Sequence, residues 1–244
     1  MKGALRIVYP PQCLACGGGV AEDGSLCPDC WRETEFVTRP ACTRCGVPLP
    51  GDGLHEAESH AEGDLCDDCI LIPRPWQHGR AAMVYAGTAR RLVLALKHGD
   101  RPDLAPPLAA WLARAAAPLV QPGTIVVPVP VHWRRMLKRR YNQAELLSRH
   151  LALHHGLLHL PDALKRIAGR PGQDHRNLTE RFENVAGTIV ANPRRAALLQ
   201  DKSVLLVDDV MASGATLAAS AEALALAGAA SVSVCVLARA AKDH

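Results

Sequence analysis

Two adjacent carboxylates, Asp208 and Asp209, close an apolar run from Val204 to Val207, and the small residues Ala212, Ser213, Gly214 and Ala215 follow, then Thr216. Such an apolar run reads as a buried parallel strand, and open α/β sheets bind ligands at the carboxyl ends of their strands. A helix from Gly214 to Leu226 would aim its first backbone N–H groups, aided by its dipole, at an anion. The small side chains let the backbone approach that anion, and Ser213 and Thr216 add hydroxyls. The two carboxylates would repel a phosphate, so they need donors instead, and the vicinal hydroxyls of a ribose supply a pair. The segment therefore reads as a ribose-5-phosphate pocket. It contains neither Gly-x-Gly-x-x-Gly nor a Gly-Lys-Ser/Thr turn, so it is neither a dinucleotide fingerprint nor a P-loop.

A second polar element follows the Val-rich strand expected from Thr124 to Pro130. Five of the seven residues from Arg134 to Arg140 are basic. Arginine forks at the end of a strand suit pyrophosphate oxygens. The same run also fits a solvated helix face or the phosphates of a nucleic acid. A third element, Arg166 to Val185, contains Arg170, Gln173, Arg181 and Asn184. It reads as a lid over a charged substrate or as a surface loop.

The third chemical feature is cysteine. Eight of the nine cysteines form four Cys-x-x-Cys pairs: Cys13 and Cys16, Cys27 and Cys30, Cys42 and Cys45, Cys66 and Cys69. With no export signal evident, the pairs point to metal rather than disulfides. Two pairs complete a tetrahedral thiolate shell, for which Zn²⁺ is the default ion. Sequential grouping, with Cys13, Cys16, Cys27 and Cys30 on one ion, is the preferred arrangement, and an interleaved cross-brace is its rival. His55 and His60 read as loop residues able to substitute. Four thiolates leave no open position, so the expected role is structural. Cys235, in an alternating strand, reads as a small core residue.

These residues must be positioned by three zones. Residues 1–75 form a loop-rich cysteine module, 76–123 a bridging or hood segment, and 124–244 a run of alternating strands and helices. Strand–helix alternation implies an α/β fold with a parallel sheet flanked by helices. Asn142 to His154 reads as a helix stopped by Gly156, and Ser231 to Leu237 as a strand with Val232, Val234 and Val236 on one face. The chain has 244 residues, 48% hydrophobic and 21% charged, with 28 Lys and Arg against 24 Asp and Glu. That balance suits a soluble globular protein, and its net charge of +4 does not by itself call for a nucleic acid. No apolar run reaches the roughly 18 residues of a membrane span, so neither membrane insertion nor export is expected, and the location expected is cytoplasmic. Aromatics are only 4%, which disfavours a base-stacking groove, although Trp31, Trp76 and Trp133 fall in segments that read as surface.

The run Val204 to Thr216 resembles the phosphoribosyl pyrophosphate (PRPP) signature of type I phosphoribosyltransferases. Ala212 stands where that signature often has Thr. The wider pattern resembles the ComF-like competence proteins over nearly the whole chain: the paired cysteines, Tyr85, Leu96 to Arg101, Pro128 to Arg135, Tyr141 to Glu145, Arg170 with Gln173, and Arg181 with Asn184. His98 replaces the aromatic residue usual after the lysine. The resemblance implies a type I phosphoribosyltransferase fold behind a double zinc ribbon. It implies PRPP contacts from Val131, His132, Arg135, Asp208, Asp209 and Met211 to Thr216, with Arg134 and Arg181 joining the acids in any reaction. It also implies Mg²⁺ on the pyrophosphate and a link to DNA uptake. Two functions remain open: transfer of phosphoribose to an acceptor, or a PRPP or nucleotide sensor that holds single-stranded DNA or a DNA-processing protein. Glutamine-dependent amide transfer is disfavoured, because its nucleophile domain begins with Cys and this chain begins with Met1 and Lys2.

Overall fold

The computed structural model describes residues 9–51, 64–131, 141–167, 185 and 187–241. Its centre is a parallel sheet of five strands: β1 (His78–Val84), β2 (Ile125–Pro128), β3 (Leu158–His159), β6 (Ser203–Met211) and β7 (Ser231–Arg239), in the order β1-β7-β6-β2-β3. Strands β4 (Leu164–Arg166) and β5 (Ile189–Ala191) form a separate antiparallel pair. The helices are α1 (Pro28–Arg32), α2 (Asp67–Leu71), α3 (Gly87–His98), α4 (Ala105–Ala116), α5 (Gln143–His155), α6 (Ala196–Leu199) and α7 (Ala215–Leu226).

Strand β6 lies between β2 and β7 and is hydrogen-bonded along both edges, which explains its unbroken Val204–Val207 run. Val204 and Leu206 face one core, and Leu205 and Val207 the other. Strand β7 divides in the same way: Val232, Val234 and Val236 on the first face, Cys235 and Leu237 on the second. Helices α3, α4 and α5 supply Leu92, Leu96, Leu108, Leu112, Leu147 and Leu151 to the second face. Helix α7 supplies Leu217 and Leu224 to the first. Pro128 is tolerated in an interior strand because β3 pairs only with Ile125 and Val126, and no partner needs the missing N–H. Helix α5 is bounded as its sequence suggests: the Asn142 side chain accepts from Ala144 N–H, and Gly156 ends the helix at φ +65°.

The bridging zone and the cysteine module are built into this sheet. Strand β1 from the bridging zone is its edge, and residues 35–37 cover the open side of that edge. Val37 N–H donates to Ala82 O (3.0 Å) and Val84 N–H to Glu35 O (2.9 Å). Cys42, Cys45, Cys69 and Trp76 share the core that holds Val234 and Val236. Gly79 N–H donates to Thr43 O at 2.8 Å, and a Cβ on Gly79 would stand 2.1 Å from Arg44 O. Backbone meets backbone here, so nothing can yield cheaply. Gly79→Ala should destabilise the protein by about 1–3 kcal/mol, the usual cost of overpacking. Urea unfolding of the zinc-loaded chain checks this, and an unchanged midpoint would contradict the close packing of the module on β1.

Candidate functional site

Strand β6 does not stop at its acids. It continues through Asp208 and Asp209 to Met211, paired with β7 by Asp208↔Val236 and Met211↔Arg239. The apolar run marked only the part of the strand that is buried on both faces. The side chains of the two neighbouring acids point to opposite sides of the strand. Asp209 is 6% exposed and meets Lys97 from α3, with Nζ 3.0 Å from Oδ1. Asp208 accepts a 2.8 Å hydrogen bond from the Asp209 N–H. As a residue Asp208 is partly exposed, while its carboxyl group is enclosed by protein. Burial first, and then the charge of Asp209, push that carboxyl up to about 8, against the opposing pull of the Asp209 N–H and of Lys97.

After Met211 the chain turns through Ala212, which is exposed, and the half-buried Ser213 into Gly214 at φ +82°. Helix α7 therefore starts at Ala215, one residue later than its composition suggests, and Gly214 is its left-handed cap. No side chain caps this helix, although Ser213 Oγ accepts a long 3.4 Å contact from Ala215 N–H. The first N–H groups of α7 are thus disposed toward an anion, and Thr216 stands half-buried in its first turn. Gly214 has a second reason to be glycine. A Cβ there would lie 3.1 Å from Arg74 Nη1 and 3.3 Å from Trp76 Cη2. Both groups belong to the segment just after the cysteine module, and Trp76, expected at the surface, is only 1% exposed. Trp31 is 53% exposed, as expected of it.

The loop is held from behind by cations. Arg74 Nη1 donates to Ser213 O at 2.8 Å. Arg239 Nη1 donates to Met211 O (3.2 Å), Ala212 O (2.8 Å) and Ala240 O. Lys97, Arg74, Trp76 and Arg239 are the site residues that sequence patterning did not single out for these roles. Lys97 alone left a trace, within the Leu96–Arg101 motif. On the neighbouring strand, Val131 follows the end of β2, and Asn142 Nδ2 donates to Val129 O at 3.1 Å, tying α5 to that end. His132, Trp133, Arg134, Arg135, Arg170, Gln173, Arg181 and Asn184 lie outside the described residues, as do His55 and His60. A cavity of about 240 Å³ lined by Arg39, Arg80 and Arg114 includes none of residues 208–216.

The cysteines form two groups, Cys13, Cys16, Cys27, Cys30 and Cys42, Cys45, Cys66, Cys69, each with its sulfurs within 4.8 Å of one another. The grouping is sequential and not interleaved. Cys16 and Cys27 sulfurs are 3.7 Å apart, and Cys45 and Cys66 sulfurs 3.6 Å. Tetrahedral thiolates about 2.3 Å from a zinc ion stand about 3.8 Å from one another, so both shells fit that ion. Gly17 and Gly46 have φ of +75° and +70°, the left-handed turn of each knuckle. Gly18 N–H and Cys27 N–H point at Cys16 and Cys13 sulfurs (3.4 and 3.3 Å), as they would toward thiolates. Cys235 is fully buried, and burial pushes its thiol up to about 12, which makes it an inert core residue.

Residues 4–70 match the double zinc ribbon domain, and residues 173–244 match the phosphoribosyl transferase domain. The DNA utilization protein YhgH of Salmonella typhimurium (strain LT2) is 29% identical over 93% of this chain and 89% of its own. The Escherichia coli (strain K12) protein of the same name is 29% identical over 96% and 99%. Competence protein F of Haemophilus influenzae is 26% identical over 94% and 97%. A solved structure described as the allosteric regulatory enzyme of purine biosynthesis overlaps 59% of this chain and 30% of its own, at 18% identity and a TM-score of 0.40. Among the described residues no helix is long and apolar enough to cross a membrane.

Two expectations follow from the geometry. An acid whose folded pKa lies above its unfolded value, roughly 3.9, costs nothing below that value and weakens the fold as pH climbs toward the folded value. Asp208→Asn should therefore stabilise the ligand-free protein increasingly between pH 5 and the value of about 8, by on the order of 1 kcal/mol for each pH unit, with little gain at pH 4. Thermal melts of both proteins across that range check it, and parallel curves would contradict the enclosed carboxyl. Elemental analysis should find about two zinc ions per chain, and chelation should unfold residues 9–51. Chelation that leaves the far-ultraviolet spectrum unchanged would contradict a structural role.

Proposed function

We propose that this ComF-like chain, a double zinc ribbon joined to a phosphoribosyl transferase domain, binds a PRPP-type ribose phosphate between the end of β6 and the start of α7. The observation that carries the reading is the junction itself. Two carboxylates at the end of a central strand stand immediately before an uncapped helix start in a small-residue loop. Asp208 and Asp209 would accept from the ribose hydroxyls. Ala212, Ser213, Gly214, Ala215 and Thr216 would bind the 5′-phosphate through their backbone and hydroxyl groups, with Met211 setting the turn.

Arg134, Arg135, Val131 and His132 are proposed for the pyrophosphate side, and Arg181 for the closing segment. Mg²⁺ would arrive with the pyrophosphate and offset its charge. Transfer would break the bond from ribose C1 to the pyrophosphate oxygen, form one from C1 to an acceptor, and release pyrophosphate. Catalysis would consist of positioning and of stabilising the separating charges. Relatives are named for DNA utilization and competence, and single-stranded DNA or a DNA-processing protein as acceptor or partner would fit such a setting. The sensing alternative uses the same pocket without the transfer step.

Calorimetry with Mg²⁺ and PRPP should give saturable binding to the zinc-loaded chain. Asp208→Asn combined with Asp209→Asn should abolish it, and undiminished binding would remove the acids from the site. Mass spectrometry for a ribose-5-phosphate adduct across candidate acceptors then separates enzyme from sensor. An adduct with released pyrophosphate supports transfer, and its absence with binding intact supports sensing.

A further inference from the structure

We infer that the second cysteine centre is a working part of the ligand loop, with Trp76 and Arg74 as the positioning residues that join its Cys42–Cys45 knuckle to Gly214 and Ser213. Arg74 lies five residues after Cys69 in the chain. Its guanidinium donates through Nη1 to Ser213 O at 2.8 Å and lies over the Trp76 ring. A planar fork can hold a carbonyl and sit against a ring at once, which a lysine cannot match.

The bridge has a rigid abutment. The Trp76 indole N–H donates to Arg44 O at 2.6 Å, and the Arg44 guanidinium donates back to Trp76 O. Arg44 stands inside the Cys42–Cys45 knuckle. The far edge of the same indole lies 3.3 Å from where a Cβ of Gly214 would be, and the Arg74 guanidinium lies 5.7 Å from the ring centre. One knuckle thus fixes the ring, and the ring with Arg74 fixes the loop.

Charge points the same way. Four thiolates around a divalent ion carry a net charge of about −2. Arg74 and the buried Arg239, which interacts electrostatically with Cys45, are the two cations that hold the carbonyls of residues 211–213. A loaded centre would attract both arginines, and it is these two that hold the loop carbonyls back from the side of the α7 N–H groups. Among the described residues the first centre shows no such link, and its neighbours are α3, through Glu33, Thr88 and Arg91, and α4, through Gly24 beside Pro107. Metal occupancy of the second centre and order in the loop are therefore coupled, and coupling is reciprocal.

The ligand side of this inference rests on the pocket proposed above, so the test has one arm that needs no ligand. Hydrogen exchange of the full zinc-loaded chain should show amides 212–217 exchanging about tenfold faster in Arg74→Ala, with the Cys13–Cys30 knuckle unchanged. Arg74→Lys should recover part of that protection. Cys69→Ser should expose the loop in the same way, whereas Cys16→Ser, which disturbs the first centre, should not. Equal loop protection in wild type, Arg74→Ala and Cys69→Ser overturns the inference, and so does equal loop exposure from Cys16→Ser. If Cys69→Ser fails to fold, Arg74→Ala with its zinc content measured carries the test alone. In the ligand arm, PRPP should slow chelator release of one zinc ion per chain in wild type and of none in Arg74→Ala. If PRPP fails to bind wild type while the exchange result holds, the pocket's proposed ligand is wrong and the coupling stands. If PRPP binds Arg74→Ala as tightly as wild type, the positioning role is overturned.

Discussion

Two neighbouring carboxylates at the end of a strand buried on both faces set the terms for everything around them. Each would be far better solvated in water, and the charge of Asp209 raises the cost of ionising Asp208. The fold meets this by treating the two acids differently. Asp209 has Lys97, reaching across from α3, while Asp208 accepts from the N–H of its neighbour and has an enclosed carboxyl that holds its proton more tightly than a free acid. The result is an acceptor pair held in place at some cost in stability when no ligand is present. The hydroxyl donors of the proposed ribose would relieve that cost.

The loop that follows has the opposite need. A backbone that offers N–H groups to an anion must point its carbonyls elsewhere, and buried carbonyls need donors. Arg74 and Arg239 fill that role from behind. Their placement also puts positive charge beneath the loop without exposing a side chain to the ligand. Small residues at 212–215 suit the proposed anion in front, and at Gly214 the space behind is taken by Trp76 and Arg74. Gly214 is the strictest position, because a Cβ would be strained by the left-handed φ and would crowd Arg74 and Trp76.

Much of this arrangement was legible in the sequence wherever one local pattern dominates. The Val204–Val207 run, the Asn142 and Gly156 ends of α5, and the valines of β7 announce themselves through period and capping chemistry. The cysteine pairs do so through spacing alone. Where β6 would end was harder to read, since an aspartate looks like a terminator until tertiary pairing with β7 carries the strand past it. Lys97, Arg74, Trp76 and Arg239 could not be assigned from pattern, because their roles depend on contacts across long separations, 139 residues in the case of Arg74 and Ser213. Trp76 beside two prolines resembles a surface linker, and only the packing of the knuckle against β1 buries it.

The same packing bears on why a zinc ribbon accompanies this domain at all. Strand β1 is an edge, and an open edge of a parallel sheet invites unwanted pairing. Residues 35–37 cover it, and the Cys42–Cys45 knuckle closes on Gly79 beside them. A loop cover without a core of its own would fray, so it needs a staple, and four thiolates on a metal supply one. Once the staple lies against the sheet, its neighbours at 74 and 76 are carried to the back of the β6–α7 junction. The cysteine module is in this sense less an appended reader of some partner than the missing wall of the α/β domain. Its first centre, seated on α3 and α4 and partly exposed at Cys16, is the portion left free to face something else.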